Sequence, residues 1–269
     1  MGPITDDTVD ELHSYRCDQY VPQNRNIISN LFYSIWDMMQ FVESSVACAW
    51  HRLRKVTPYT YCGANPKELT EDQKKQSHPI LLLHGVKSDE SSWRNLLADL
   101  QKQGIGPVFT LNIDYDREDF VQKIQEKASE ILQLYGQKIE LSLVGHSLGA
   151  IKAAHYVYVK KCEGLSRDIH IDKIVSLAGR LRITGNERWK CFFSDITDLV
   201  NETYEAIKKK GPNDPKLFTL TAENDWLVPA NCSNVLNDPS CSFILPDCGH
   251  LSILHSSHML KVVASLLKI

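Results

Sequence analysis

Residues 143–150, with the sequence LVGHSLGA, decide how the rest of this chain is interpreted. The stretch predicts a buried strand that runs into a tight turn and then into the start of a helix. Its Gly-x-Ser-x-Gly pattern places Ser147 in the turn, where a positive φ angle lifts the serine hydroxyl clear of a sheet. Gly145 and Gly149 fit this geometry, because bulky residues there would hold the strand and the helix apart. Such a short pattern also arises by chance, so its weight depends on its surroundings.

Strands and helices alternate from Pro79 to the end of the chain. Apolar runs predict strands over residues 80–83, 108–113, 139–144, 171–177, 217–220 and 243–245. Apolar residues spaced three and four apart predict helices over residues 93–103, 120–135, 150–159, 196–207 and 258–267. The alternation favours right-handed βαβ units, and therefore an α/β fold with a mainly parallel sheet and helices on both faces.

Composition is that of an ordinary globular protein. The chain has 269 residues, of which 43% are hydrophobic and 23% are charged, enough for one large α/β domain. A formal net charge of −3 and the lack of a dense basic tract argue against a nucleic-acid partner. The eight cysteines form no C-x-x-C pair, so we predict neither a zinc nor a redox site and expect no cofactor.

The N-terminus and the cysteines indicate the cellular compartment of the protein. The first residues are acidic and lack the basic and apolar regions of a secretory signal peptide. Scattered cysteines then favour free thiols in the cytoplasm. Export without a signal peptide is the alternative, and it would allow Cys232 and Cys241 to pair.

Residues 1–78 are predicted to form an extension before a domain of residues 79–269. Within it, residues 26–54 predict an amphipathic helix with Asp37 largely off the apolar face. That face includes Ile35, Met39 and Val42. The helix is expected to pack on the domain or fold over its active site. Alternatively, its large aromatic residues favour peripheral contact with a membrane, or a partner protein.

Residues 180–211 separate two predicted strands by more than a simple crossover needs. The interval contains several aromatic residues and then a helical stretch. Long insertions in α/β domains often serve function, so we predict a lid over the site. An elongated crossover helix is the alternative.

Three polar residues follow predicted strands in the order Ser, Asp, His. Ser147 follows the strand of residues 139–144, and Asp225 and His250 follow the last two strands. The carboxyl ends of parallel strands meet at one edge of a sheet, so these side chains are expected to gather there. A serine hydroxyl becomes a useful nucleophile when a base, oriented by an acid, lies within hydrogen-bond reach.

The chain from about Pro79 onward resembles the α/β-hydrolase family, and within it the esterase and lipase-like members. The resemblance rests on the serine turn, on Asp225 and His250 in that order, and on the additional pairs His84-Gly85 and Val228-Pro229. It implies an α/β-hydrolase fold with Ser147 as nucleophile, His250 as base and Asp225 as acid.

The resemblance also implies an oxyanion hole. Its two donors would be the main-chain N–H groups of Val86, after the His-Gly pair, and of Leu148, after the nucleophile. A serine nucleophile argues against dehalogenase or epoxide-hydrolase chemistry, because those members use a carboxylate.

Each role has competitors in the sequence. Glu223 and Asp247 compete with Asp225 for the acid, although the spacing to Val228-Pro229 favours Asp225. Four other histidines lie near the motifs: His84, His146, His255 and His258. We expect the first two to be structural neighbours of the oxyanion turn and the serine turn, and the last two to lie on or near the final helix.

These features predict a serine carboxyl-ester hydrolase that forms an acyl-enzyme on Ser147. The substrate is expected to be a small-molecule or lipid acyl ester, because of the apolar N-terminal helix, the aromatic lid and the resemblance. A thioesterase or deacylase of an acylated protein or carrier would use the same three residues. A binding protein that keeps the fold without turnover is a further alternative.

Overall fold

A six-stranded parallel sheet forms the centre of the computed structural model, which describes residues 14–17, 35–39, 42, 69–75, 78–115, 118–184, 196–236 and 238–268. The strands are β1 Ile80–Leu83, β2 Val108–Leu111, β3 Ile139–His146, β4 Ile169–Leu177, β5 Lys216–Ala222 and β6 Ser242–Leu245. Their order across the sheet is β2-β1-β3-β4-β5-β6, with every neighbouring pair parallel. The predicted mainly parallel sheet is therefore confirmed.

Helices lie between successive strands, before the first strand and after the last. They are α1 Glu71–Lys75, α2 Arg94–Lys102, α3 Phe120–Tyr135, α4 Leu148–Ala154, α5 Thr197–Lys208, α6 Ala230–Ser233 and α7 Ser257–Lys268. A π-helical turn, His155–Val159, continues α4, and short 3-10 helices span Glu90–Trp93, Pro239–Cys241 and Ser252–His255. Local sequence sets the limits of α3: the side chain of Asp119 accepts from the N–H groups of Val121 and Gln122, and Gly136 ends the helix at φ 64°.

The strands bury side chains on both faces of the sheet. Leu82, Val144 and Val175 lie in one core cluster with residues of α2 and α7. Residues one position earlier on the same strands, such as Leu81 and Leu143, lie in a second cluster with residues of α3 and the π-helical turn. Because alternate residues of a strand point to opposite faces, helices cover both sides of the sheet, as predicted.

Some predicted element boundaries differ from those in the structure. The strand predicted over residues 108–113 ends at Leu111, because the N–H of Ile113 donates to the ring of His84 at 3.0 Å instead of to a neighbouring strand. The helix after the serine begins at Leu148, two residues earlier than predicted.

The helical stretch of the predicted lid is α5, which lies between the parallel strands β4 and β5. In α5, Val200 is buried against Leu148 and Ile151 of α4, so this helix packs on the one that follows Ser147. Residues 185–195 of the predicted lid lie outside the described residues.

Two pieces of the N-terminal extension are described, and the first of them pairs with the edge strand of the sheet. The main chain of residues 14–17 pairs antiparallel with β6: Cys17 N donates to Ser242 O at 2.9 Å and Ile244 N donates to Tyr15 O at 2.8 Å. Residues 35–39 and 42 are helical, and the rest of the helix predicted over residues 26–54 lies outside the described residues. In the parts of the chain that the structure describes, no helix combines the length and apolar character of a membrane span.

Candidate active site

The turn after β3 has the strained geometry expected of it. Ser147 has φ 53° and ψ −119°, a conformation that raises its side chain above the sheet edge. A Cβ atom on Gly145 would lie 2.5 Å from main-chain atoms of Ala150, and one on Gly149 would overlap the carbonyl groups at the end of β1. Both positions require glycine because strand, turn and helix pack backbone to backbone.

The three residues predicted to act together form a hydrogen-bonded chain. Nε2 of His250 lies 2.9 Å from Oγ of Ser147, and Nδ1 of His250 lies 2.8 Å from Oδ2 of Asp225. The other oxygen of Asp225 accepts from the N–H groups of Leu227 at 2.9 Å and Val228 at 2.7 Å. The carboxylate is thus fixed by its own loop and orients the imidazole toward the serine hydroxyl.

The segments that carry the two predicted oxyanion donors adjoin Ser147. A Cβ on Gly85 would lie 3.2 Å from Cβ of Ser147, so the turn that carries Val86 lies directly against Ser147. Leu148 is the first residue of α4, where an N–H group has no acceptor within the helix. The N–H groups of Val86 and Leu148 stay the predicted oxyanion donors.

Comparison with known proteins identifies the architecture. No protein-family model matches the sequence, and no curated protein matches it. The mature lipase BlEst2 of Bacillus licheniformis superposes with a TM-score of 0.55 at 17% identity, over 76% of this chain and 97% of the lipase. An alpha/beta hydrolase fold protein of Burkholderia ambifaria superposes with a TM-score of 0.51 at 12% identity, over 71% of this chain and 90% of the other. This chain has the α/β-hydrolase fold.

The residues that competed in the sequence for the roles of acid and base lie elsewhere in this α/β-hydrolase fold. Asp225, rather than Glu223 or Asp247, supplies the carboxylate that bonds to His250. Nδ1 of His255 lies 2.7 Å from the side-chain amide of Asn95, and the ring of His258 lies 5.2 Å from the ring of Tyr15, tilted by 45°. Among the described residues, no group of His, Cys, Asp and Glu is placed to hold a metal ion. Cys232 and Cys241 carry free thiols.

His84 supports the turn that carries Val86. Because a carbonyl oxygen only accepts, the contact of 2.7 Å between its Nδ1 and Gly85 O makes Nδ1 the donor. Nε2 is then an acceptor, and it receives the N–H of Ile113. The carbonyl of His84 accepts from the hydroxyl of Tyr115 at 2.8 Å. These bonds give His84 the structural position that its place in the sequence predicted.

The two histidines beside Ser147 differ in how readily they bind a proton. Burial, followed by the neighbouring His250, lowers the pKa of His146 to about 3. Burial also acts to lower the pKa of His250, but the carboxylate of Asp225 and its hydrogen bond, followed by the more distant carboxylate of Asp37, raise it above its usual value. His250 is thus the histidine whose protonated form the site stabilises, as a base must be during turnover.

One residue that lies at the site was not among the predicted site residues. Asp37 is buried, and its carboxylate accepts hydrogen bonds from the main chain directly after His250. Helical periodicity assigned it to a polar face. No local signal indicates its burial, because the groups that bind it lie 189 to 215 residues further along the chain.

Proposed function

We propose that this protein is a serine hydrolase that cleaves carboxyl esters through an acyl-enzyme on Ser147. The observation that carries the proposal is the unbroken chain of hydrogen bonds from Ser147 Oγ through His250 to Asp225, at a serine held with positive φ. A merely structural serine needs neither the strained backbone nor a base within 2.9 Å.

Acylation begins with removal of the serine proton. His250 Nε2 takes this proton as Oγ attacks the acyl carbonyl, and Asp225 stabilises the imidazolium that results. The N–H groups of Val86 and Leu148 donate to the oxyanion, and each such donor contributes roughly 3 kcal/mol to lowering the barrier. His250 then gives the proton to the leaving alkoxide, which departs as an alcohol.

Deacylation repeats these steps with water. His250 takes a proton from the water that attacks the acyl group, the same amides bind the second oxyanion, and the serine recovers its proton as the acid leaves. The hydroxyl, the imidazole and the amides therefore act twice in each turnover. None of these steps requires a metal ion or an organic cofactor.

An apolar acyl chain is the substrate feature that the surface of the site favours. The large hydrophobic side chains that are exposed in the described residues are Ile35, Trp36, Met38, Met39, Val42, Val86 and Trp226. Val86 lies in the proposed oxyanion turn, and Trp226 directly follows Asp225. Exposed apolar side chains around a reactive centre favour a lipid-like ester over a small polar one.

The first experiment tests the nucleophile. A fluorophosphonate probe is incubated with the wild type, with Ser147→Ala and with Ser166→Ala, a serine on a loop remote from the site. We expect intact mass to show one adduct on the wild type and on the control variant, and none on Ser147→Ala. A wild type that stays unlabelled would contradict the proposed function.

The second experiment identifies the bond that is cleaved. Butyryl, octanoyl and dodecanoyl esters are compared with thioesters of the same chain length, and we expect kcat/KM to be higher for the esters and to rise with chain length. A preference for thioesters would instead favour a thioesterase or deacylase. Labelling without turnover of any substrate would favour a protein that binds without catalysis.

A further inference from the structure

A second carboxylate lies against the loops that carry the acid and the base. Asp37 is 2% exposed, whereas five apolar residues of the same helical segment are 44–58% exposed: Ile35, Trp36, Met38, Met39 and Val42. A surface helix ordinarily buries its apolar residues and exposes its charges. Since burying a carboxylate is unfavourable unless donors satisfy it, this inverted arrangement points to a specific set of partners.

The first set of partners comes from the loop that carries His250. Oδ1 of Asp37 accepts from the N–H of Leu251 at 2.9 Å, the N–H of Ser252 at 2.8 Å and the hydroxyl of Ser252 at 3.1 Å. These two residues directly follow His250. The carboxylate therefore holds the backbone from which the imidazole projects toward Ser147.

The second oxygen of the same carboxylate binds the loop that carries Asp225. Oδ2 of Asp37 accepts from Nε1 of Trp226 at 3.2 Å, and Trp226 directly follows Asp225. A Cβ on Gly249 would lie 2.7 Å from Cγ of Asp37, so the histidine loop approaches the carboxylate at a position that glycine leaves open. One side chain thus links the residue after the acid to the residues after the base.

We infer that Asp37 is a positioning residue, which holds the loops of Asp225 and His250 in the relative arrangement that catalysis needs. The inference rests on the proposed serine hydrolase function. Through Asp37, the helical segment of residues 35–39 and 42 contributes to the active site. The pairing of residues 14–17 with β6, the strand that leads into the histidine loop, ties a second piece of the extension to the same region.

The charge of Asp37 adds an effect that a simple tether lacks. The groups that act on the charge of His250 are Asp225 on the loop after β5, Asp37 on the N-terminal segment and His146 at the end of β3, whose ring is 5.1 Å away. His146 is kept neutral by burial. Asp37 therefore helps Asp225 to raise the pKa of His250 against the effect of burial.

The main test replaces the carboxylate by its neutral isostere. Asp37→Asn is compared with the wild type and with Asp72→Asn, an exposed carboxylate on α1, by measuring kcat and KM for p-nitrophenyl butyrate from pH 5 to 9. We expect kcat of Asp37→Asn to fall by about 10- to 100-fold with little change in KM, since misplaced catalytic groups impair turnover more than binding. The acid limb of kcat/KM should move to lower pH. Wild-type kcat with an unmoved acid limb would overturn the inference.

A double-mutant cycle tests the bridge between the two loops. Trp226→Phe keeps an aromatic ring but removes the N–H that donates to Asp37. If Asp37 and Trp226 act through this one hydrogen bond, kcat of the double variant should be little lower than kcat of the more damaging single variant. Additive losses in kcat would contradict the bridge.

Folding and the proposed function are checked in the same series. Thermal unfolding is measured for each variant. Should Asp37→Asn fail to fold, Ser252→Ala and Trp226→Phe each remove a single donor to Asp37, and wild-type kcat in both would overturn the inference. Fluorophosphonate labelling separates the two proposals: an unlabelled wild type rejects the serine hydrolase, whereas a labelled wild type with a fully active Asp37→Asn rejects only the role of Asp37.

Discussion

Nε2 of His146 donates a hydrogen bond to the main-chain carbonyl of His250 across 2.9 Å. His146, the residue before Ser147, thereby holds the backbone of His250, and a carbonyl acceptor fixes Nε2 as the protonated nitrogen. His250 is thus held by His146 through its own carbonyl and by Asp37 through the two residues that follow. Its ring is free to exchange protons with Ser147 while its backbone stays in place.

The buried His146 should make the protein sensitive to acid. Its pKa of about 3 in the folded state lies below the usual 6.5, so between these values the unfolded chain binds a proton that the folded chain does not. The free energy of unfolding should therefore fall as pH drops below 6.5, by about 1.4 kcal/mol per pH unit for this group. His146→Gln, which retains an N–H donor, should show a weaker decline.

Denaturant unfolding of the wild type and of His146→Gln at several pH values measures this difference. The difference in unfolding free energy between the two proteins should narrow by about 1.6 kcal/mol between pH 6.5 and 5. Burial lowers the pKa of His84 as well. Because His84 is present in both proteins, its contribution does not affect the difference between them. Parallel curves for the two proteins would show that His146 is not the acid-sensitive group.

Asp225→Asn should abolish most of the activity without disturbing the fold. An amide in place of the carboxylate no longer stabilises the imidazolium or enforces the tautomer in which Nε2 faces Ser147, and kcat should fall by about 1,000- to 10,000-fold. Removing the charge that raises the pKa of His250 should also shift the acid limb of the remaining activity to lower pH.

Asp247→Asn is the matched control for this substitution. Asp247 competed with Asp225 in the sequence, is exposed and has φ 59°, a conformation that asparagine adopts readily. Its variant should keep wild-type kcat. Equal losses in both variants would mean that Asp225 does not have a distinct role.

Gly85→Ala should impair the chemical step by crowding the serine. An added Cβ would lie 3.1 Å from Nδ1 of His146 and 3.2 Å from Cβ of Ser147, so the turn carrying the Val86 amide must shift. Displacing one oxyanion donor should lower kcat by about 100- to 1,000-fold while KM changes less. Gly211→Ala is the control, since its Cβ would meet nothing within 4 Å. Similar kcat values for both variants would argue against a close oxyanion turn.

The fold and the three residues of the hydrogen-bonded chain were accessible from sequence, because each is encoded locally. Strands buried on two faces appear as apolar runs, and the strained turn needs glycines on both sides of Ser147. Asp37 was not accessible, because helical periodicity describes only which residues share a face. Its burial depends on donors at Leu251, 214 residues further along the chain. The pairing of residues 14–17 with β6 depends on a similarly distant partner.

The exposed methionines of the N-terminal segment should contribute to recognition of long acyl chains. Met38 and Met39 directly follow the buried Asp37 and are more than half exposed, so a double change to serine removes apolar surface while leaving Asp37 in place. Losing contact with two or three methylene groups weakens binding by about 1.5–2.5 kcal/mol, or roughly 10- to 60-fold in KM. KM for a dodecanoyl ester should therefore rise, whereas KM for a butyryl ester, too short to reach the segment, serves as the internal control. An equal change for both esters would show that the segment does not contact the acyl chain, and no change for either would limit its role to holding Asp37 in place.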